Sequence, residues 1–70
     1  MKEQMYTGYV FWGWTCVRYF RIPMKKRQIQ ELISWELEYQ KTQHSWGELG
    51  YQIMDQDGHI VEECFGGDLR

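Results

Sequence analysis

Seventy residues allow one domain at most, and a chain this short buries only a modest share of its surface. Such domains lean on a disulfide, a metal, a partner or an unusually aromatic core. The formal net charge of −2 excludes a strongly basic nucleic-acid binder by composition, and no segment approaches the roughly 20 apolar residues of a membrane-spanning helix.

The first element is "MYTGYVFWGWTCVRYFRI", Met5 to Ile22, rich in β-branched and aromatic residues. Its even positions, from Val10 through Trp12, Trp14, Cys16, Arg18 and Phe20 to Ile22, are nearly all apolar, and its odd positions are mixed. Such alternation predicts strand. The segment is longer than a usual strand, so Gly13 marks a tight turn or a bulge. Two strands meeting near Trp12–Gly13 are expected, with one long bent strand as the alternative.

Pro23 is expected to end the extended segment and to suit the first turn of a helix, where its missing N–H costs nothing. From Met24 to about Thr42 the residues are good helix formers. Ile29, Leu32, Ile33 and Leu37 recur at helical spacing, with Trp35 and Tyr39 beside them, a face broad enough to cover a small sheet. Lys25, Lys26 and Arg27 sit against helix energetics, since the macrodipole disfavours cations in the first turn by roughly 0.3–1 kcal/mol each at low salt. Pairing with the acidic C-terminal hairpin is the preferred explanation, and a basic patch for an anionic partner is the other.

After the helix, Ser45-x-x-Glu48 matches a capping box, but a strand pattern follows and no second helix is expected. Asp55–Gly58, "DQDG", predicts a type I turn continued by a left-handed glycine. In that register Met54 faces Ile60, Ile53 faces Val61 and Leu49 lies opposite Phe65. A two-residue Asp57–Gly58 turn, which sets Ile53 against Glu62, is disfavoured because it breaks those apolar pairs. The fold expected is therefore a single α+β domain over residues 1–70: a small antiparallel sheet of three or four strands packed on one helix, in the order ββαββ, or βαββ if the first strand is continuous.

No catalytic, metal or cofactor site is expected. Placing Gly58 at the sixth position of a calcium loop leaves Ile53 and Cys64 at the first and twelfth, where ligands are needed. Zinc would require Cys16, Cys64, His44 and His59 to converge from four elements without any paired spacing. His44 reads as a helix-end cap and His59 as an exposed residue after the turn. Glu62 and Glu63 are adjacent, so on a strand they point to opposite faces and cannot act as an acid pair. No nucleophile or phosphate-loop pattern occurs. The N-terminus carries no apolar run of the signal-peptide kind, so a cytoplasmic setting with reduced Cys16 and Cys64 is expected, a disulfide between them being the alternative.

Charge and rings carry what remains. Arg18, Arg21, Lys25, Lys26 and Arg27 fall within ten positions, and from Glu48 onward there are six acids and no base until Arg70. Four Trp, five Tyr and three Phe are more than one small core can hide, so some should be exposed as binding anchors. The leading expectation is a protein-binding module with two recognition features. One is an acidic hairpin surface of Asp55, Asp57, Glu62, Glu63 and Asp68, and the other is a set of aromatic anchors, Trp12, Trp46 and Tyr51. A competing reading places Trp12, Trp14 and Trp35 in the core. The rival function is nucleic-acid binding through Arg18, Arg21, Lys25, Lys26 and Arg27, interleaved with rings in "RYFR" and "PMKKR". A homodimer through the aromatic strand is a further expectation.

In size and element order the chain resembles small phage-encoded accessory proteins such as anti-CRISPR proteins and phage antitoxins. "FWGW", the helix and a hairpin ending "VEECFGG" are similar in style to a phage antitoxin that inhibits a host RNase toxin. What the resemblance implies is inhibition by stoichiometric binding to a host or phage protein in the cytoplasm, with an acidic surface occupying a basic cleft.

Overall fold

The computed structural model describes residues 4–68, with side chains described as far as Phe65. The elements are β1 (Tyr6–Trp12), β2 (Thr15–Met24), α1 (Lys26–Gln43), β3 (Glu48–Met54) and β4 (Ile60–Asp68). They form one antiparallel sheet in the order β2-β1-β3-β4 with α1 on one face, which is the expected ββαββ arrangement. Among the described residues no helix is long and apolar enough to cross a membrane.

Gly13, at φ 59°, and Trp14 connect β1 to β2, so the first extended segment is two strands. A positive φ at the first central residue alone matches a type II′ hairpin, whose twist suits the strands it joins. From Trp12↔Thr15 and Phe11↔Cys16 the register shifts to Val10↔Arg18, so Val17 is an extra residue in β2. That bulge turns Arg18 and Phe20 towards the helix and brings Tyr19 opposite Tyr9 on the other face.

Pro23 lies inside β2 rather than in the helix. β2 is an edge strand, and a second irregularity spans the residues between Phe20 and Met24, so the proline removes no ladder bond. The helix begins at Lys26, and the Gln28 side chain accepts from the N–H of the N-cap residue Lys25 at 3.3 Å. Its first turn holds no acid. Lys26 does reach the C-terminal hairpin, at 3.9 Å from Glu62, whereas Arg18 pairs at 3.9 Å with Glu36 of the helix itself. His44 closes the helix, its N–H donating to the Gln40 carbonyl.

The core is aliphatic. Val10, Ile29, Ile33 and Ile53 form it, with Leu49 also buried and Tyr6, Val17, Phe20, Met24, Leu37 and Tyr51 packed around it. Helix and sheet approach closely at Gly8, where an added Cβ would lie 2.9 Å from Ile33 Cδ1 and 3.1 Å from Ile29 Cγ1. The expectation of a tryptophan core is corrected: Trp14 stands fully in solvent at the hairpin tip and Trp35 is exposed on the outer side of α1. With a glycine facing Ile29 and Ile33, the helix sits too near β1 to admit indoles there.

The Asp55–Gly58 turn has the expected form, with Gly58 at φ 84° donating to Asp55 and the Asp55 N–H donating to the His59 carbonyl. The register beyond it does not. Met54 faces Ile60 as expected, but Ile53 pairs with Glu62 and Leu49 with Gly67. Val61 is the extra residue of a bulge, and the gain is electrostatic: Glu62 turns to the helix face, where Tyr51, Gln30 and Lys26 satisfy it.

Candidate functional site

The helix lies over β1, with β2 and β3 at its flanks, and leaves the opposite face of the sheet uncovered among the described residues. Alternation places Tyr9 and Phe11 of β1 on that open face, and the Val17 bulge adds Tyr19 of β2. The rings form a continuous stripe. Tyr19 and Tyr9 stack at 4.4 Å and 4°, Tyr9 and Phe11 lie 6.0 Å apart, and Phe11 meets Phe65 of β4 at 5.7 Å with a 42° tilt. The stripe thus crosses the whole sheet. Tyr19 also raises the Tyr9 phenol above its ordinary value, chiefly through its hydroxyl and then with the help of burial.

Phe11 and Phe65 belong to strands that are not neighbours, and Gly50 of β3 lies between them. Phe11 pairs directly with Gly50. A Cβ there would fall 2.6 Å from Phe65 Cδ1 and 2.8 Å from the Cys64 carbonyl. The missing side chain is what lets the two rings meet over the middle of the sheet.

At the hairpin end of this face a groove of about 520 Å³ is lined by Phe11, Gly13, Trp14, Glu48, Gln52 and Phe65. The Gly13 N–H donates to the Glu48 carbonyl at 2.8 Å, tying the tip that carries Trp14 to the start of β3. Glu63, on the same face, accepts from Gln52 at 3.3 Å. The lining holds one carboxylate and no cation.

The anticipated aromatic anchors lie elsewhere. Trp12 is half-buried at the end of the helix side, stacked on His44 at 4.1 Å and donating to the Trp46 carbonyl at 2.9 Å. Trp46 packs edge-on against it and stays exposed. Tyr51 is half-buried beneath α1 and donates to Glu62 at 2.7 Å, which with partial burial pushes its phenol up to about 12. These three residues do not share one surface with the open-face stripe.

The five acids are divided as well. Asp55 and Asp57 sit in the turn, Glu62 faces the helix and Glu63 the open side; Asp68 ends β4 opposite Glu48, and its side chain lies outside the described residues. Asp55, Asp57 and His59 bring ligand atoms within 4.8 Å of one another, but Asp55 Oδ1 already accepts the N–H groups of Asp57 and His59 at 2.9 Å each. That turn geometry accounts for the grouping.

Of the basic residues, Arg18 lies over Phe20 and beside Glu36, and Lys26 beside Glu62, all on the helix side. Lys25 and Arg27 flank the helix start, and Arg21 lies near the end of edge strand β2. By alternation Arg21 follows Tyr19 onto the open face, at the end of the stripe farthest from the hairpin tip, and the other four cations lie on the helix side or at the helix start. Cys16 and Cys64 are free and exposed on opposite edge strands, with about 14 Å of sheet between them, beyond disulfide reach.

A second groove, about 260 Å³, runs between α1 and β4 over Ile33, Leu37 and Ile53, but the Gln30–Glu62–Tyr51 hydrogen bonds close off its polar wall. In comparisons with known families, curated proteins and solved structures, nothing matches this chain.

Proposed function

We propose that this domain is a protein-binding module, acting stoichiometrically as an inhibitor or adaptor, and that the open face of its sheet is the binding surface. The observation that carries the reading is the stripe of Tyr19, Tyr9, Phe11 and Phe65, laid across all the strands on the face without a helix. Rings on a rigid sheet offer large apolar area at little entropic cost, the property that makes aromatic residues dominate binding energy at interfaces. At the hairpin end of the stripe carboxylates rather than cations accompany them, Glu48 in the groove and Glu63 beside it. A polyanion would be repelled there, so a protein suits the face better than a nucleic acid. In a phage setting, the same surface would cover a functional site on a host protein.

The test is capture from nuclease-treated bacterial lysate by tagged protein, run beside a Phe11→Ser variant, a Phe65→Ser variant and a helix-side Trp35→Ala control. One protein retained by the parent and by Trp35→Ala, but lost with both stripe variants, is the expected result. Equal retention by all four, or capture abolished by nuclease, would overturn the reading.

A further inference from the structure

We propose that the groove at the hairpin tip is a receptor for an arginine side chain presented by the protein partner. The inference rests on reading the open face as protein-binding and names what that face recognises. Three rings, Phe11, Trp14 and Phe65, line a space of about 520 Å³, and Glu48 lines the same space. Aromatic faces attract cations through the ring quadrupole, and a carboxylate beside them adds a charged acceptor. No cation of the described residues lies within 4.0 Å of the Glu48 carboxylate, so among them its charge is unpaired. The opposite pattern holds on the helix side, where Glu36 and Glu62 both have internal cations.

The shape selects among cations. The Phe11 and Phe65 rings are tilted by 42° and line an open groove rather than an enclosed box. A compact quaternary ammonium gains most when rings surround it. A planar guanidinium can lie flat on one ring and still donate two parallel hydrogen bonds to a carboxylate at its edge. Trp14, wholly exposed on a tip anchored by the Gly13–Glu48 hydrogen bond, is free to fold over the ligand's other side. Glu48 holds the charge, Phe11 and Phe65 form the platform, and Trp14 is the cover.

The experiment is a titration of the intact protein, labelled with 15N, using an acetylated Gly-Arg-Gly amide and its lysine, trimethyl-lysine and citrulline counterparts. The Trp14 indole N–H should move on adding the arginine peptide, while that of Trp12, held by the Trp46 carbonyl, should not. Citrulline keeps the planar shape without the charge and should bind about tenfold more weakly. Glu48→Gln should weaken arginine binding by a similar factor, and Glu62→Gln, whose carboxylate lies on the other face, should leave it unchanged. An unresponsive Trp14, equal binding of citrulline, or a preference for trimethyl-lysine would each overturn the proposal. Those results are independent of partner capture: a partner still lost with the Phe11 and Phe65 variants would leave the binding face standing while the arginine receptor fell.

Discussion

Tyr51 Oη donates to Glu62 Oε2 at 2.7 Å across the β3–β4 ladder, and Gln30 donates to the other oxygen of the same carboxylate at 3.1 Å. With Lys26 at 3.9 Å, this carboxylate joins the last strand to a helix that does not otherwise approach it. Hydrogen bonds to a charged group contribute about 1.5–3 kcal/mol when well made, less where water competes. Glu62→Ala should therefore lower stability by about 1–2 kcal/mol. Tyr51→Phe should cost a comparable amount, and the double variant less than the two together, since each removes the same bond. Urea denaturation of the four proteins measures the coupling, and simple additivity would show that the bond contributes nothing.

The same pair sets a pH dependence. Hydrogen bonding to Glu62, then burial, raises the Tyr51 phenol from 10.0 to about 12, so the folded state holds that proton longer than the unfolded chain does. For an acid raised on folding, the stabilisation is fully present below the unfolded value and is lost as pH rises through the folded one. Stability should thus fall between about pH 10 and pH 12 through this group, and Tyr51→Phe should lack that component. Tyrosinate absorbance followed against pH should show a late-ionising component near pH 12 in the parent, beyond that of Tyr9, absent from Tyr51→Phe and shifted down in Glu62→Gln.

Packing at Gly8 offers a third check. A Cβ there would press on Ile33 Cδ1 at 2.9 Å and Ile29 Cγ1 at 3.1 Å, both fully or almost fully buried, with the Gln52 carbonyl 3.3 Å away. Overpacking of a filled core costs about 1–3 kcal/mol. For a domain whose whole stability is on the order of 4–10 kcal/mol, that is a large share. Ile33→Val removes the nearest atom, so in its background Gly8→Ala should be markedly less harmful. Thermal melts of the single and double variants decide it; equal costs in both backgrounds would place the strain elsewhere.

What could be read from the chain was whatever depends on local signals. Gly13 between two aromatic runs, the helical spacing of Ile29, Ile33 and Leu37, and "DQDG" are short-range patterns, and each produced the expected turn or helix. The faces of the strands were less legible, because irregularities in both hairpins reset them, the bulges at Val17 and Val61 among them. In a plain Gly13–Trp14 hairpin, Tyr9 would oppose Arg18; the extra residue Val17 puts Tyr19 there instead and sends Arg18 to Glu36. In the second hairpin Val61 plays the same part, and Glu62 replaces it opposite Ile53. Both shifts are stabilised by helix residues distant in sequence, so strand periodicity alone could not reveal them. Trp12 and Tyr51 have the size of interface anchors, yet each is tied into the helix side by a hydrogen bond. One overlooked signal did point to the stripe: a lone glycine inside a strand, Gly50, often marks a place where another group approaches closely.

That glycine supplies the last prediction. Phe65 reaches Phe11 over Gly50, and a Cβ at position 50 would collide with Phe65 Cδ1 at 2.6 Å and the Cys64 carbonyl at 2.8 Å. The ring can swing aside because it is more than half exposed, whereas the carbonyl belongs to the β4 backbone and cannot move without loosening the ladder. Gly50→Ala should therefore cost about 1–3 kcal/mol and also separate the two rings. Phe65→Ala in the same background should restore part of the stability but none of the binding, since the obstacle to Phe65 is gone and so is the ring itself. Denaturation reports the first effect, and the Phe11 ring-proton shifts together with partner retention report the second. If Gly50→Ala kept both the ring contact and partner binding, the open-face stripe would not depend on this gap, and the interface would have to be sought away from the Phe11–Phe65 junction.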